Sequence, residues 1–199
     1  MNNRLKVIDF NPQEFEEFLN QTFHQEDFTS TTLILGIEDG GKPLADFIFN
    51  FLSSKFTQNQ FHVNFVKCQR PSTKEKKRNL LTENVLKSTF RWLPKSLLNY
   101  LRVLEHQKLM KFKHQNTERE INYNHPIDWQ KFSKILIVDD AVDSGATLFA
   151  VLNSVKTNVK NCVTIKTLAV VTTSDQAKIK PDYSLYQQVL VRFPWSLDG

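Results

Sequence analysis

The chain has 199 residues and a formal net charge of +5, enough for one core-forming domain with an inserted segment. Cys68 and Cys162 stand too far apart for a zinc motif or a disulfide framework, the N-terminal stretch MNNRLKVIDFNPQEF lacks the apolar region of a secretory signal, and no run approaches membrane-spanning length. The expectation is a soluble protein without disulfide staples, secretory signal or membrane span, in a cytoplasmic setting.

In chain order, Asn11-Pro12-Gln13-Glu14 reads as a helix start, with Asn11 the cap and Pro12 at the first position. The helix is expected to run to about His24 and to bury Phe15, Phe18 and Leu19. Residues 31–36 (TTLILG) form a strand, 37–42 a turn, and 43–55 a helix with Leu44, Phe47, Ile48 and Phe51 on one face. Residues 61–67 (FHVNFVK) alternate apolar and polar, which predicts a second strand and with it a βαβ unit. Residues 69–78 (QRPSTKEKKR) are a polar, basic loop. Residues 80–92 and 94–111 predict two helices broken at Pro94, and 112–133 is read as irregular.

Residues 134–147 read KILIVDDAVDSGAT. The unbroken apolar run suits a strand buried on both faces, ending in Asp139 and Asp140. A turn and a helix over 148–156 (LFAVLNSVK) follow, so Ser144, Gly145, Ala146 and Thr147 offer backbone N–H groups at a helix N-terminus, which suits an anion. Open α/β sheets bind ligands at such strand ends. A receiver domain also opens on ILIVDD, but only about sixty residues follow Asp140, too few for the domain behind it. A strand over 163–171, a turn near Lys180-Pro181-Asp182 and a last strand over 188–193 complete the chain. The basic residues gather in 67–78 and 102–114 without interleaved aromatics, which suits a small polyanion better than nucleic acid.

The 134–147 segment resembles the PRPP-binding motif of the type I phosphoribosyltransferases, position by position. The resemblance implies that Asp139 and Asp140 hold the ribose hydroxyls and Mg²⁺, the metal directly or through water. It also implies that Asp143, Ser144, Gly145, Ala146 and Thr147 hold the 5-phosphate. Gly40-Gly41-Lys42-Pro43-Leu44-Ala45 resembles the pyrophosphate loop of the same family, which gives Asp39, Gly40, Gly41 and Lys42 that role. Lys67 and Arg70 are the preferred partners from the basic loop. The same residues also fit the P-loop pattern G-x-x-x-x-G-K, but Pro43 stands where that loop needs a hydroxyl.

Asp143 is similar to the aspartate that purine-salvage members place near N7 of the base, a catalytic position beside Asp139 and Asp140. Arg192-Phe193-Pro194-Trp195 resembles the family's C-terminal hood, so Phe193 and Trp195 are candidate base contacts. Those members carry a lysine for a 6-oxo group near the end of the strand after the PRPP helix. Here that strand ends in Val170-Val171-Thr172-Thr173. Either Lys166 or Lys178 substitutes, or the acceptor is not a 6-oxopurine.

The resemblance implies an α/β fold with a Rossmann-like, mostly parallel sheet of five to six strands. It would be a single domain over 1–199, with a flexible loop and helical insertion at 69–130 and a hood at 180–199. The implied reaction is Mg²⁺-dependent transfer of 5-phosphoribosyl from PRPP to a nitrogenous base, purine-like by preference, with release of pyrophosphate. Two other readings stay open: a non-catalytic PRPP or nucleotide sensor on the same fold, and a P-loop NTPase. The expected partners are PRPP and a small base, with a homodimer allowed and neither membrane nor nucleic acid involved.

Overall fold

The structure, a computed structural model, describes residues 5–24, 31–58, 60–69, 99, 103 and 119–196. In chain order the elements are β1 (Lys6–Asp9), α1 (Pro12–Thr22), β2 (Thr32–Glu38), α2 (Gly41–Lys55), β3 (Phe61–Gln69) and β4 (Glu120–Tyr123). A 3-10 turn at Trp129–Lys131 leads into β5 (Lys134–Val142), α3 (Ala146–Asn158), β6 (Thr164–Thr172), β7 (Tyr183–Gln187) and β8 (Val189–Arg192). Six strands form the main sheet in the order β4-β3-β2-β5-β6-β7. All its neighbours are parallel except β4 against β3. The chain ends pair separately, β1 parallel to β8. The expected mostly parallel α/β sheet is what the chain forms. No described helix is long and apolar enough to cross a membrane.

Each face of the sheet is covered, which is why β2 and β5 read as continuous apolar runs. On one face Ile34, Leu136, Val138, Leu168 and Val170 pack with Phe15 and Leu19 of α1 and with Leu44, Ile48 and Leu52 of α2. On the other, Leu33, Leu35, Ile37, Ile135 and Ile137 pack with Leu148, Val151, Leu152 and Val155 of α3. Alternation along a strand assigns the residues to the two faces.

The three helices delimited among the described residues begin differently. Asn11 caps α1: its Oδ1 accepts from the amides of Gln13 at 3.0 Å and Glu14 at 3.5 Å. Its Nδ2 donates to Glu14 Oε1 at 3.1 Å, a reciprocal closure of the helix end. α2 and α3 begin at Gly40 and Gly145 with no side-chain cap. Their first amides are left for something else.

Several expected boundaries move. Phe18 is only partly buried beside the fully buried Phe15 and Leu19. β2 runs on through Glu38, and α2 starts at Gly41, with Pro43 in its first turn where the missing N–H costs nothing. β5 continues through both aspartates to Val142, because Ala141 and Val142 pair with Val171 and Thr172 of β6. β1 and β7 were not expected, and β4 falls in the stretch read as irregular. The helices expected over 80–92 and 94–111 lie outside the described residues, Asn99 and Val103 apart.

Candidate active site

Because β5 stays extended through its acid pair, Asp139 and Asp140 leave the strand on opposite faces. Asp139 shares the side of Ile135 and Ile137 and lines a cavity of about 80 Å³ with Arg119 and residues 141–148. Asp140 shares the side of Leu136 and Val138 and faces the start of α2. A Cβ placed on Gly40 would overlap the Asp140 carboxylate, so only glycine lets the turn approach this closely.

The pair is costly to ionise. Burial pushes the Asp139 carboxyl well above the ordinary 3.8, and the neighbouring charges of Asp140 and Asp143 push the same way. Asp139 Oδ1 accepts the Asp140 amide at 3.0 Å. Burial also raises Asp140, opposed by the Ala141 amide and by the indole of Trp195. That indole Nε1 is buried and faces the carboxylate without completing a hydrogen bond. No cationic side chain among the described residues forms an ion pair with either aspartate.

The turn after β5 is built for close approach. Gly145 has φ +71°, and a Cβ there would lie 2.5 Å from the Ile179 carbonyl oxygen. The Lys178 amide donates to Ser144 O at 2.8 Å, which fixes the loop from behind. Asp143 lines the same small cavity, and its Oδ1 accepts from the Thr173 hydroxyl at 2.7 Å. Thr173 and Arg119 are contacts that the sequence reading did not name. Arg119 Nη1 donates to Thr147 Oγ1 at 3.0 Å.

The second turn carries Asp39, Gly40, Gly41 and Lys42 at the start of α2. The peptide bond between Glu38 and Asp39 is cis. Lys42 Nζ sits 4.7 Å from the centre of the Phe65 ring. Lys67 stands in register with Glu38, and its Nζ lies 3.8 Å from Glu38 Oε2. Arg70 lies outside the described residues.

The expected base contacts do not assemble together. Lys166 pairs in register with Leu136, three residues short of Asp139, and its Nζ binds Asp182 Oδ1 at 3.2 Å. It is not brought to the acid pair. Lys178 has its Nζ 3.7 Å from the centre of the Phe149 ring. Phe193 is 3 % exposed, packed into the core against Phe10 and Trp195. Its ring is not open to a ligand. Trp195 stays half-buried, stacked on Phe193 with centroids 5.1 Å apart.

A family model described as a phosphoribosyl transferase domain matches residues 11–198. Among curated proteins no sequence matches. A purine phosphoribosyltransferase from Pyrococcus horikoshii superposes with a TM-score of 0.55 at 17% identity, covering 96% of this chain and 95% of that one. The Helicobacter pylori xanthine-guanine-hypoxanthine phosphoribosyltransferase gives 0.56 at 16% identity, with coverage of 96% and 95%. A Staphylococcus aureus hypoxanthine phosphoribosyltransferase gives 0.54 at 12%, covering 94% and 79%. These likenesses carry the fold. The family match spans nearly the whole sequence, which sets the P-loop reading aside: the chain belongs to the phosphoribosyl transferase domain family and is a phosphoribosyltransferase of type I fold.

Proposed function

We propose that this enzyme transfers 5-phosphoribosyl from PRPP to a purine-like base, with Mg²⁺, and releases pyrophosphate. The observation that carries this reading is the carboxylates of Asp139, buried, and Asp140, half-buried, which have no ion-pair partner among the described residues and lie between two uncapped helix starts. A ligand with a phosphate at each end and hydroxyls between them matches that layout. The amides of Ser144 to Thr147 and the dipole of α3 would hold the 5-phosphate. Asp139 and Asp140 would take the ribose hydroxyls. Asp39, Gly40, Gly41 and Lys42 at the start of α2, with Lys67 and Arg70, would meet the pyrophosphate.

The acid pair also fits Mg²⁺. Its hard oxygen donors have no ion-pairing cation among the described residues, and Mg²⁺ commonly takes one or two carboxylates and fills its shell from substrate and water. Among the described residues no third acidic, histidine or cysteine side chain joins them in a metal-binding group. Bound there, the ion would neutralise charge on the leaving pyrophosphate.

In the reaction the bond from C1 of the ribose to the pyrophosphate oxygen breaks, and its electron pair leaves with pyrophosphate. A nitrogen lone pair of the base forms the new bond to C1. Catalysis then rests on alignment and on charge placed before the reaction starts. Asp143, oriented by the Thr173 hydroxyl, would accept or share the proton of the base nitrogen. The purine-like preference is supported by Asp143 and by the purine-named neighbours. The family match over residues 11–198 supports reading the chain as one domain.

The test is to incubate the protein with PRPP, Mg²⁺ and a panel of purines and pyrimidines and to follow pyrophosphate. Release that depends on a purine is expected. Release with pyrimidines alone would overturn the purine preference, and no release with any base would overturn the proposal.

A further inference from the structure

The cavity at the start of α3 has a wall that comes from far away in the sequence. Arg119 immediately precedes β4, whose register against β3 sets Glu120 opposite Gln69 and Tyr123 opposite Val66. β3 runs parallel to β2 and β5, so the beginning of the antiparallel β4 lies at the same edge of the sheet as Asp139. α3 packs against β3, β4 and β5. Two side-chain bridges fix β4 along it: Arg119 Nη1 to Thr147 Oγ1 at 3.0 Å, and Tyr123 Oη to Ser154 Oγ at 2.8 Å. The four steps from Arg119 to Tyr123 span about 14 Å of strand. The seven steps from Thr147 to Ser154 rise about 10 Å of helix. The two elements thus descend side by side, and the long arginine reaches across at the top.

The charge at this point needs an explanation. Arg119 is half-buried, and no carboxylate among the described residues forms an ion pair with it. A neutral donor would suffice to bond Thr147. The cavity it lines holds about 80 Å³, well below the roughly 300 Å³ at which sites for drug-sized ligands begin. It suits one small group. Among the described residues the other charged side chains on its wall are Asp139 and Asp143, so a phosphate there meets negative charge and needs a cation. A guanidinium carries five N–H donors in a planar fork, and the bond to Thr147 uses one. Since Thr147 Oγ1 accepts from Arg119, its own hydroxyl hydrogen is left to donate into the cavity.

We infer that Arg119 is a 5-phosphate-binding residue of this enzyme, delivered by β4 to the start of α3, where it completes the cradle of Ser144 to Thr147. This rests on the proposed placement of the 5-phosphate at that loop. The guanidinium supplies the one positive side chain on the cavity wall among the described residues. Through Thr147 it also sets the direction of a second donor.

Calorimetric titration with ribose 5-phosphate and, separately, with inorganic pyrophosphate, each with Mg²⁺, tests it. For Arg119→Met the affinity for ribose 5-phosphate should fall roughly ten- to a hundredfold, as for a lost charge-assisted contact, while pyrophosphate binding stays within about threefold. Arg119→Lys keeps the charge without the fork and should lie between. Tyr123→Phe removes the other bridge between β4 and α3 and should leave ribose 5-phosphate affinity within about threefold. Unchanged ribose 5-phosphate binding in Arg119→Met would overturn the inference alone. An equal loss in Tyr123→Phe would make Arg119 a structural bridge and overturn it too. A wild-type protein that binds no ribose 5-phosphate would overturn the placement of the 5-phosphate itself.

Discussion

Asp182 and the pair Asp139–Asp140 flank the same strand, β6, and their surroundings are opposite. Asp182 Oδ2 accepts from the Thr167 amide at 2.8 Å and the Thr167 hydroxyl at 2.7 Å, while Lys166 approaches Oδ1 at 3.2 Å. Burial would raise its carboxyl, but the two Thr167 bonds and Lys166 outweigh it and hold the group below the ordinary 3.8. Asp139 and Asp140 are more deeply enclosed, have each other for company and are raised. A carboxylate that the protein itself satisfies ties β6 to the turn before β7 and is finished. A carboxylate pair with no cation paired to it among the described residues costs stability, and such a cost is tolerated where a ligand makes it good.

The largest expected effect falls on rate. Asp143→Asn keeps the loop amides and an acceptor for Thr173 but removes the carboxylate offered to the base. Turnover should drop by roughly 10²–10⁴-fold with PRPP affinity nearly unchanged, measured by pyrophosphate release beside calorimetry. A comparable fall in PRPP affinity would assign Asp143 to binding.

Next come two opposite stability effects. Asp182→Ala strands the Thr167 amide and should cost about 1–3 kcal/mol, or a few degrees in Tm. Asp139→Asn keeps the oxygen that accepts the Asp140 amide and removes a buried charge, so without ligand it should raise Tm by a few degrees at neutral pH. The pH dependence separates the two. A lowered folded-state carboxyl such as Asp182 contributes stability above 3.8 that is lost as pH falls through its folded value. The deficit of Asp182→Ala should therefore shrink in acid. A raised carboxyl such as Asp139 costs nothing below 3.8 and progressively more as pH rises through its folded value. The advantage of Asp139→Asn should vanish below about pH 4. Thermal melts across this range check both signs, and a destabilised Asp139→Asn at neutral pH would break the contrast.

The smallest effect belongs to Trp195→Phe. The ring can still stack on Phe193 and Phe10, and only the indole N–H facing Asp140 is lost. PRPP affinity should weaken by about two- to tenfold, more at low pH, because Asp140 then loses a group that favours its charged form. An unchanged affinity at every pH would remove Trp195 from the acid pair.

The half of the site on β5 and α3 is written locally: an apolar run, two acids, a glycine turn and the start of a helix occupy fourteen consecutive residues, 134–147. Sequence reading reaches such features because each signal acts on its neighbours. It stops where pairing decides. β5 continues past Asp140 only because β6 pairs with Ala141 and Val142, and that extension is what sends the two acids to opposite faces. β4 has four residues, EINY, with no apolar run, and exists through β3 and the Tyr123–Ser154 bond. Arg119 was therefore invisible as a site residue. β1 finds its partner β8 at the other end of the chain. Phe193, which the resemblance to the hood offered as a base contact, lies just past that pairing and in the core.

Titration of PRPP with Mg²⁺ into the wild-type protein and into Asp140→Asn is the direct test of whether the unsatisfied acid pair is the ligand site. Asp140 faces the Gly40 turn on one side and Trp195 on the other, and the amide variant keeps its shape while removing its charge. Tight binding to the wild type and an affinity roughly ten- to a hundredfold weaker in the variant is the expected result. Equal affinities would contradict the account, since the cost of raising both carboxyls would then have no ligand to explain it.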